Sequence, residues 1–105
     1  MSEKGTTIEE IMVEQAVDAF RGGKEGAKSL FIQLIGRWEA ETGPSRLDRI
    51  NLERRKAALC ARIGAYEEAC DNIAAACKMA FEEHDENLLA ELVKQLERLE
   101  SVLNK

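Results

Sequence analysis

The sequence is poor in residues that interrupt helices and in residues that build catalytic or metal sites. It contains one proline, one histidine and only five aromatic residues, three of them phenylalanine. Alanine, leucine, glutamate, lysine and arginine, which favour helices, are abundant instead. The single histidine excludes the paired Glu-x-x-His motifs of di-iron bundles. No acid, base and nucleophile converge in the predicted helices, so we expect a protein that is not an enzyme.

The sequence also lacks any long apolar run. No stretch approaches the roughly 20 apolar residues that a membrane-spanning helix needs. The first ten residues, MSEKGTTIEE, contain no apolar core of the kind found in signal peptides. Hydrophobic residues make up 45% of the chain and charged residues 33%, as in folded globular proteins. We expect a cytoplasmic protein with one domain over residues 1–105, of which residues 1–6 form a flexible N-terminus.

The cysteine pattern does not indicate a metal site or a disulfide. The chain has an odd number of cysteines, namely Cys60, Cys70 and Cys77, and no two of them form a C-x-x-C pair. Cys70 and Cys77 lie seven residues apart on one predicted helix, about 10 Å along its axis, which is too far for a disulfide. We expect free thiols that pack as small apolar side chains, and neither a metal nor a cofactor.

Breaks in the apolar periodicity divide the chain into five helices. Gly22-Gly23, Gly43-Pro44-Ser45 and Gly64 are typical of helix ends, and the polar stretch 84–87 separates the last two helices. The spacing predicts helices near 7–20, 25–41, 46–63, 66–83 and 86–103. We therefore expect an all-α fold, in which two antiparallel helical hairpins are followed by a closing C-terminal helix.

The predicted fourth helix has two adjacent stripes of small or apolar residues. At steps of four, three and four, one stripe forms a shared apolar face, and the other fills the flank beside it. The face comprises Cys70, Ala74, Cys77 and Phe81, and the flank comprises Ala69, Ile73, Ala76 and Ala80. Alanine-rich faces joined by a tight turn allow two helices to approach closely.

The residues around Gly64 also share a spacing over about residues 50–81: Ala57, Gly64, Tyr66, Ala69, Ile73 and Ala76. This spacing resembles one degenerate tetratricopeptide repeat, in which glycine forms the turn and tyrosine fills the gap beside it. The sequence departs from the repeat at Glu53 and Lys56, where large apolar residues are usual, and at Phe81, where a proline is usual. The resemblance implies stacked helical hairpins, and a groove between them that binds a helix or an extended peptide of another protein.

The predicted third helix is basic in an acidic chain. Residues 46–62 carry six Arg or Lys and two acids, so their net charge is +4 (6 − 2), and the rest of the chain carries −9 (−5 − 4). The resemblance implies that this helix lines the groove with Asn51, Arg54, Arg55, Ala58 and Arg62. We expect these residues to bind an acidic segment of a partner, as in an adaptor, a chaperone or an inhibitor.

Two alternatives use the same basic helix. Its arginines could pair with acidic neighbours inside the protein. Alternatively, helix 46–62 could serve a small nucleic-acid-binding or regulatory protein, although the acidic remainder of the chain would repel phosphates. The sequence does not decide between internal pairing and a binding surface.

The predicted last helix carries a row of leucines at steps of three and four: Leu89, Leu92, Leu96, Leu99 and Leu103. A helix with such an apolar face needs a surface to cover it. We expect this surface to be the preceding hairpin of the same chain, as in the closing helices of repeat proteins. A homodimer formed through the leucine row is the second interpretation.

Overall fold

The computed structural model describes residues 8–104, apart from the side chain of Glu9. Within this range the chain forms five α-helices and no strand. The helices are α1 (Ile8–Arg21), α2 (Ala27–Glu41), α3 (Arg46–Arg62), α4 (Tyr66–Glu82) and α5 (Glu86–Leu103). The predicted all-α fold is confirmed, and each boundary lies within two residues of its expected position. The predicted flexible segment 1–6 lies outside the described residues.

The chain divides into two compact units, one ending at Ala40 and the other beginning at Glu41. The single domain expected from the sequence stays a prediction. In the first unit, the rings of Phe20 and Phe31 meet edge to face, with centroids 5.5 Å apart. Farther from the turn, Arg37 Nη1 donates a hydrogen bond to Met12 Sδ at 3.8 Å. These two contacts show that α1 and α2 form an antiparallel hairpin.

In the second unit, α4 packs against both α3 and α5. Next to the α3–α4 turn, Asn72 Nδ2 donates a hydrogen bond to Cys60 Sγ at 3.7 Å. At the far end of the same pair of helices, Arg46 forms ion pairs with Glu82 and Glu83. The two helices therefore run antiparallel, as predicted, and α5 packs on this hairpin through α4.

The buried side of α4 is the stripe predicted as its flank. Every member of that stripe is fully buried: Ala69, Ile73, Ala76 and Ala80. In the stripe predicted as the shared apolar face, Cys70 and Cys77 are half-buried, whereas Ala74 is exposed and Phe81 is 68% exposed. This corrects the sequence-based expectation. Because alanine side chains are short, the alanine stripe allows two neighbouring helices to approach α4 closely.

The turn between α3 and α4 is closed by a glycine in the left-handed conformation. Gly64 has φ +83°, its N–H donates to the carbonyl of Ala61 at 3.2 Å, and the N–H of Ala65 donates to the carbonyl of Cys60 at 2.8 Å. These two bonds are those of a Schellman motif, which satisfies the last carbonyls of a helix. The predicted left-handed turn at Gly64 is confirmed.

The turn between α4 and α5 has the same hydrogen bonds but no glycine. The N–H of His84 donates to the carbonyl of Phe81 at 3.0 Å, and the N–H of Asp85 donates to that of Ala80 at 3.1 Å. His84 is therefore held at φ +59°, a region that costs free energy for a residue with a Cβ. The carboxylate of Asp85 then caps α5 by accepting from the N–H of Leu88 at 3.1 Å.

We predict opposite effects for the same substitution at two glycines. Gly64→Ala should lower the free energy of unfolding by about 1 kcal/mol, because its φ of +83° disfavours any side chain. Apart from the neighbouring residues and the local helix backbone, no described atom lies within 4 Å of a Cβ built at Gly64 or Gly36, so clashes with other parts of the chain do not contribute. Gly36→Ala, inside α2, should raise stability by about 0.5–1 kcal/mol. Urea denaturation measures both effects, and equal effects would refute the role of Gly64.

His84→Gly should raise the free energy of unfolding by roughly 0.5–1 kcal/mol, because glycine adopts positive φ without strain. His84→Ala is the control, since alanine keeps the Cβ and should bring no such gain. Both variants are compared with the parent by urea denaturation. A glycine variant no more stable than the alanine variant would show that the turn is not strained.

Candidate protein-interaction surface

The partner-binding residues expected from the sequence lie together on the outer side of α3. Asn51, Arg55, Ala58 and Arg62 recur at steps of four, three and four, and all four are exposed. This spacing places them on one face of the helix. Arg54 is half-buried at the edge of that face. The structure therefore brings the five predicted residues into one continuous strip.

The strip also contains a residue that was not predicted. Leu47 is 56% exposed and lies four residues before Asn51, on the same face of α3. The same spacing rule, extended one turn towards the N-terminus, would have identified it. We refer to the six residues together as the basic surface: Leu47, Asn51, Arg54, Arg55, Ala58 and Arg62.

Packing and capping hold this surface in place. Ile50, Ala57 and Cys60 are buried on another side of α3, which packs against α4. At the start of the helix, Ser45 Oγ accepts a hydrogen bond from the N–H of Asp48 at 3.1 Å, as expected of an N-cap. Because the apolar side is fixed against α4, the basic surface is held on the outside.

Of the six basic residues of α3, two form internal ion pairs, three belong to the basic surface, and Arg49 is exposed elsewhere on the helix. Arg46 is held by Glu82 and by Glu83, whose Oε2 lies 3.3 Å from its Nε. Lys56 Nζ lies 3.5 Å from Glu53 Oε2. Neither cation belongs to the basic surface. Internal pairing thus absorbs part of the positive charge, as one alternative from the sequence expected.

Three arginines remain on the basic surface itself. Arg55 and Arg62 also take part in interactions within the chain, yet both side chains are exposed, and Arg54 is half-buried. An exposed arginine paired at the protein surface exchanges its partner at little cost, because surface ion pairs contribute little free energy. The three guanidinium groups therefore remain able to bind an incoming carboxylate.

The three cysteines are free, as expected. Burial raises the pKa of the Cys60 thiol, and the carboxylate of Glu68 raises this pKa further. The hydrogen bond from Asn72 and the positive charge of Lys56 lower it by less. Burial is also the main cause of the raised pKa values of Cys70 and Cys77. In the described part of the chain, no three His, Cys, Asp or Glu side chains cluster in a way that could hold a metal ion.

The leucine row of α5 is directed mainly into the protein. Leu92 is fully buried and Leu103 is 43% exposed, while the other three leucines, Leu89, Leu96 and Leu99, are half-buried. Because α5 packs on α4, the row serves the contact expected of a closing helix. A homodimer through the row stays a prediction.

Comparison of the chain with protein-family models, with curated proteins and with solved structures finds no match. Among the described helices, none combines the length and the apolar character needed to cross a bilayer.

We predict slow, pH-dependent alkylation of the three thiols. Because each pKa is raised, the reactive thiolate should appear only at a higher pH than in an unfolded chain. Iodoacetamide labelling followed by mass spectrometry should find Cys60, 5% exposed, the slowest of the three, and all three equally reactive in denaturant. A cysteine that reacts at neutral pH as fast as in denaturant would contradict this prediction.

Proposed function

We propose that this chain is a non-enzymatic protein-interaction module, of the adaptor, chaperone or inhibitor type, that binds an acidic segment of a partner through the basic surface. The observation that carries the proposal is the common exposed face of Asn51, Arg55, Ala58 and Arg62. The α3–α4 hairpin with its turn at Gly64 is compatible with the resemblance to a tetratricopeptide repeat, which implies peptide binding.

The chemistry of the basic surface suits carboxylates. A guanidinium group binds a carboxylate through two parallel hydrogen bonds, and such charge-assisted bonds are stronger than neutral ones. Ala58 lies between Arg55 and Arg62 on the helix and leaves room for a partner's backbone. Leu47 adds an apolar contact at one end, where an exposed leucine gains free energy when a partner covers it.

The basic surface is tested by reversing its charge. A variant carrying Arg54→Glu, Arg55→Glu and Arg62→Glu should lose its partner in affinity capture from nuclease-treated extract of the source cells. The control reverses Lys78, Lys94 and Arg98, which are exposed on α4 and α5. It changes the net charge by the same amount and should retain the partner. Equal capture by both variants would refute the proposal, provided that circular dichroism shows both to be folded.

A second measurement separates protein binding from nucleic-acid binding. Phosphate contacts release counterions, and the logarithm of affinity then falls by about 0.9 per contact for each decade of salt on duplex DNA. We expect no binding of random duplex DNA or single-stranded RNA at physiological salt. Micromolar binding that disappears in the Arg54, Arg55 and Arg62 variant would instead support the nucleic-acid alternative.

A further inference from the structure

The exposed side of α4 carries a large apolar residue outside the core. Phe81 is 68% exposed, although it lies only one residue from the fully buried Ala80. A small cavity of about 160 Å³ lies beside its ring, at the turn between α4 and α5. Phe81 and Leu89 both line this cavity, so the two helices present apolar side chains to the same space.

The surroundings of Cys70 indicate how the two helices are aligned. Burial is the largest cause of the raised pKa of Cys70, and the carboxylate of Glu100 is the next, so Glu100 lies near this thiol. Cys70 lies eleven residues before Phe81, and Glu100 lies eleven residues after Leu89. Equal steps in opposite directions are what an antiparallel pair requires. The pairs Phe81–Leu89 and Cys70–Glu100 therefore mark the two ends of one alignment.

The same alignment identifies the residues between these ends. By the same counting, we infer that Cys77 is placed opposite Val93, four residues from the cavity, and Ala74 opposite Leu96, seven residues from it. We call these three pairs the apolar ladder: Phe81–Leu89, Cys77–Val93 and Ala74–Leu96. Val93 is 40% exposed and Ala74 is also exposed, while Cys77, Leu89 and Leu96 are half-buried. The ladder is thus a shallow apolar groove with half-buried residues along its floor.

Both ends of the groove are negatively charged. At the Cys70 end, the carboxylates of Glu100, Asp71 and Glu67 all act on the same thiol. At the Phe81 end, Asp85 and Glu86 line the cavity. Lys78 is the basic residue of α4, against four acids on that helix. A ligand that covers the ladder would therefore meet carboxylates at both of its ends.

The backbone of the groove limits the shape of its ligand. Both walls are α-helices, whose backbone groups are bonded within each helix, so they offer no free strand edge to an extended peptide. Two adjacent helices instead form ridges and grooves that accept a third helix. From Cys70 to Phe81 the groove is about 16 Å long, at about 1.5 Å per residue, which is three turns of a helix.

We propose that the apolar ladder between α4 and α5 binds a basic amphipathic helix of a partner protein. The large apolar side chains of that helix cover Phe81, Val93 and Ala74, and its lysines or arginines reach the carboxylates at the two ends of the groove. This site is distinct from the basic surface on α3, and its ligand has the opposite charge. It uses the stripe of α4 that is left outside the core.

The test uses a labelled 18-residue helical peptide, with leucines at steps of three and four and lysines elsewhere. Fluorescence anisotropy should show binding to the wild-type chain. Phe81→Ser and Val93→Ser should each weaken binding at least about tenfold, as expected when a central apolar contact is lost. Val102→Ser is the matched control. Val102 is 42% exposed, like Val93, but lies nine residues later and thus on the opposite face of α5.

Charge and independence are tested with two further comparisons. The second peptide keeps the leucines but has glutamate in place of lysine. It should not bind at the ladder, so Val93→Ser should leave any residual binding of this peptide unchanged. The Arg54, Arg55 and Arg62 variant should bind the lysine peptide as the wild type does. If the peptide does not bind at the ladder, the proposed function of the basic surface is unaffected. If the basic surface does not bind an acidic partner, the proposal for the ladder is likewise unaffected.

Three results would overturn the proposal. The first is a lysine peptide that does not bind, and the second is binding that Phe81→Ser and Val93→Ser leave unchanged. The third is a wild-type chain that is dimeric in analytical ultracentrifugation and becomes monomeric with Val93→Ser but not with Val102→Ser. A second copy of the chain would then occupy the groove. Thermal melts followed by circular dichroism verify that both serine variants fold, which we expect since both side chains are exposed.

Discussion

The alanine stripe of α4 is the contact on which the second unit depends. Ala69, Ala76 and Ala80 are fully buried together with Ile73, and α4 packs against α3 and α5. Small side chains let helices approach closely, and close packing is sensitive even to one added methylene. Because this stripe is turned inward, the neighbouring stripe with Phe81 remains outside and borders α5. The position of the apolar ladder therefore follows from the way in which the core is packed.

The helix boundaries could be predicted because their signals are local. Ser45 caps α3, Asp85 caps α5, and Gly64 closes the turn with positive φ, each through hydrogen bonds to residues at most five positions away. Such interactions depend little on the rest of the fold. The antiparallel pairing followed from the short turns. The same reasoning missed the left-handed conformation of His84, because the sequence has no glycine at that position.

The buried face of α4 could not be predicted in this way. Both of its stripes consist of small or apolar residues, so the periodicity alone does not indicate which stripe is buried. What selects Ala69, Ile73, Ala76 and Ala80 is the presence of helices on two sides, which is a property of the tertiary fold. On α3 the pattern was less ambiguous. The resemblance to the repeat supplied five candidate residues, none of which is buried, and the exposed Leu47 was not among them.

The arrangement of charge explains why the net charge does not determine what this chain binds. The value of −5 is a sum over a helix of net charge +4 and a remainder of −9. At physiological ionic strength, charges about 8 Å or more apart are largely screened at the surface. A ligand therefore responds to the residues within reach, which are arginines on α3 and carboxylates at the ends of the groove between α4 and α5. The two proposed ligands have opposite charges, and they therefore do not compete for the same residues of this acidic chain.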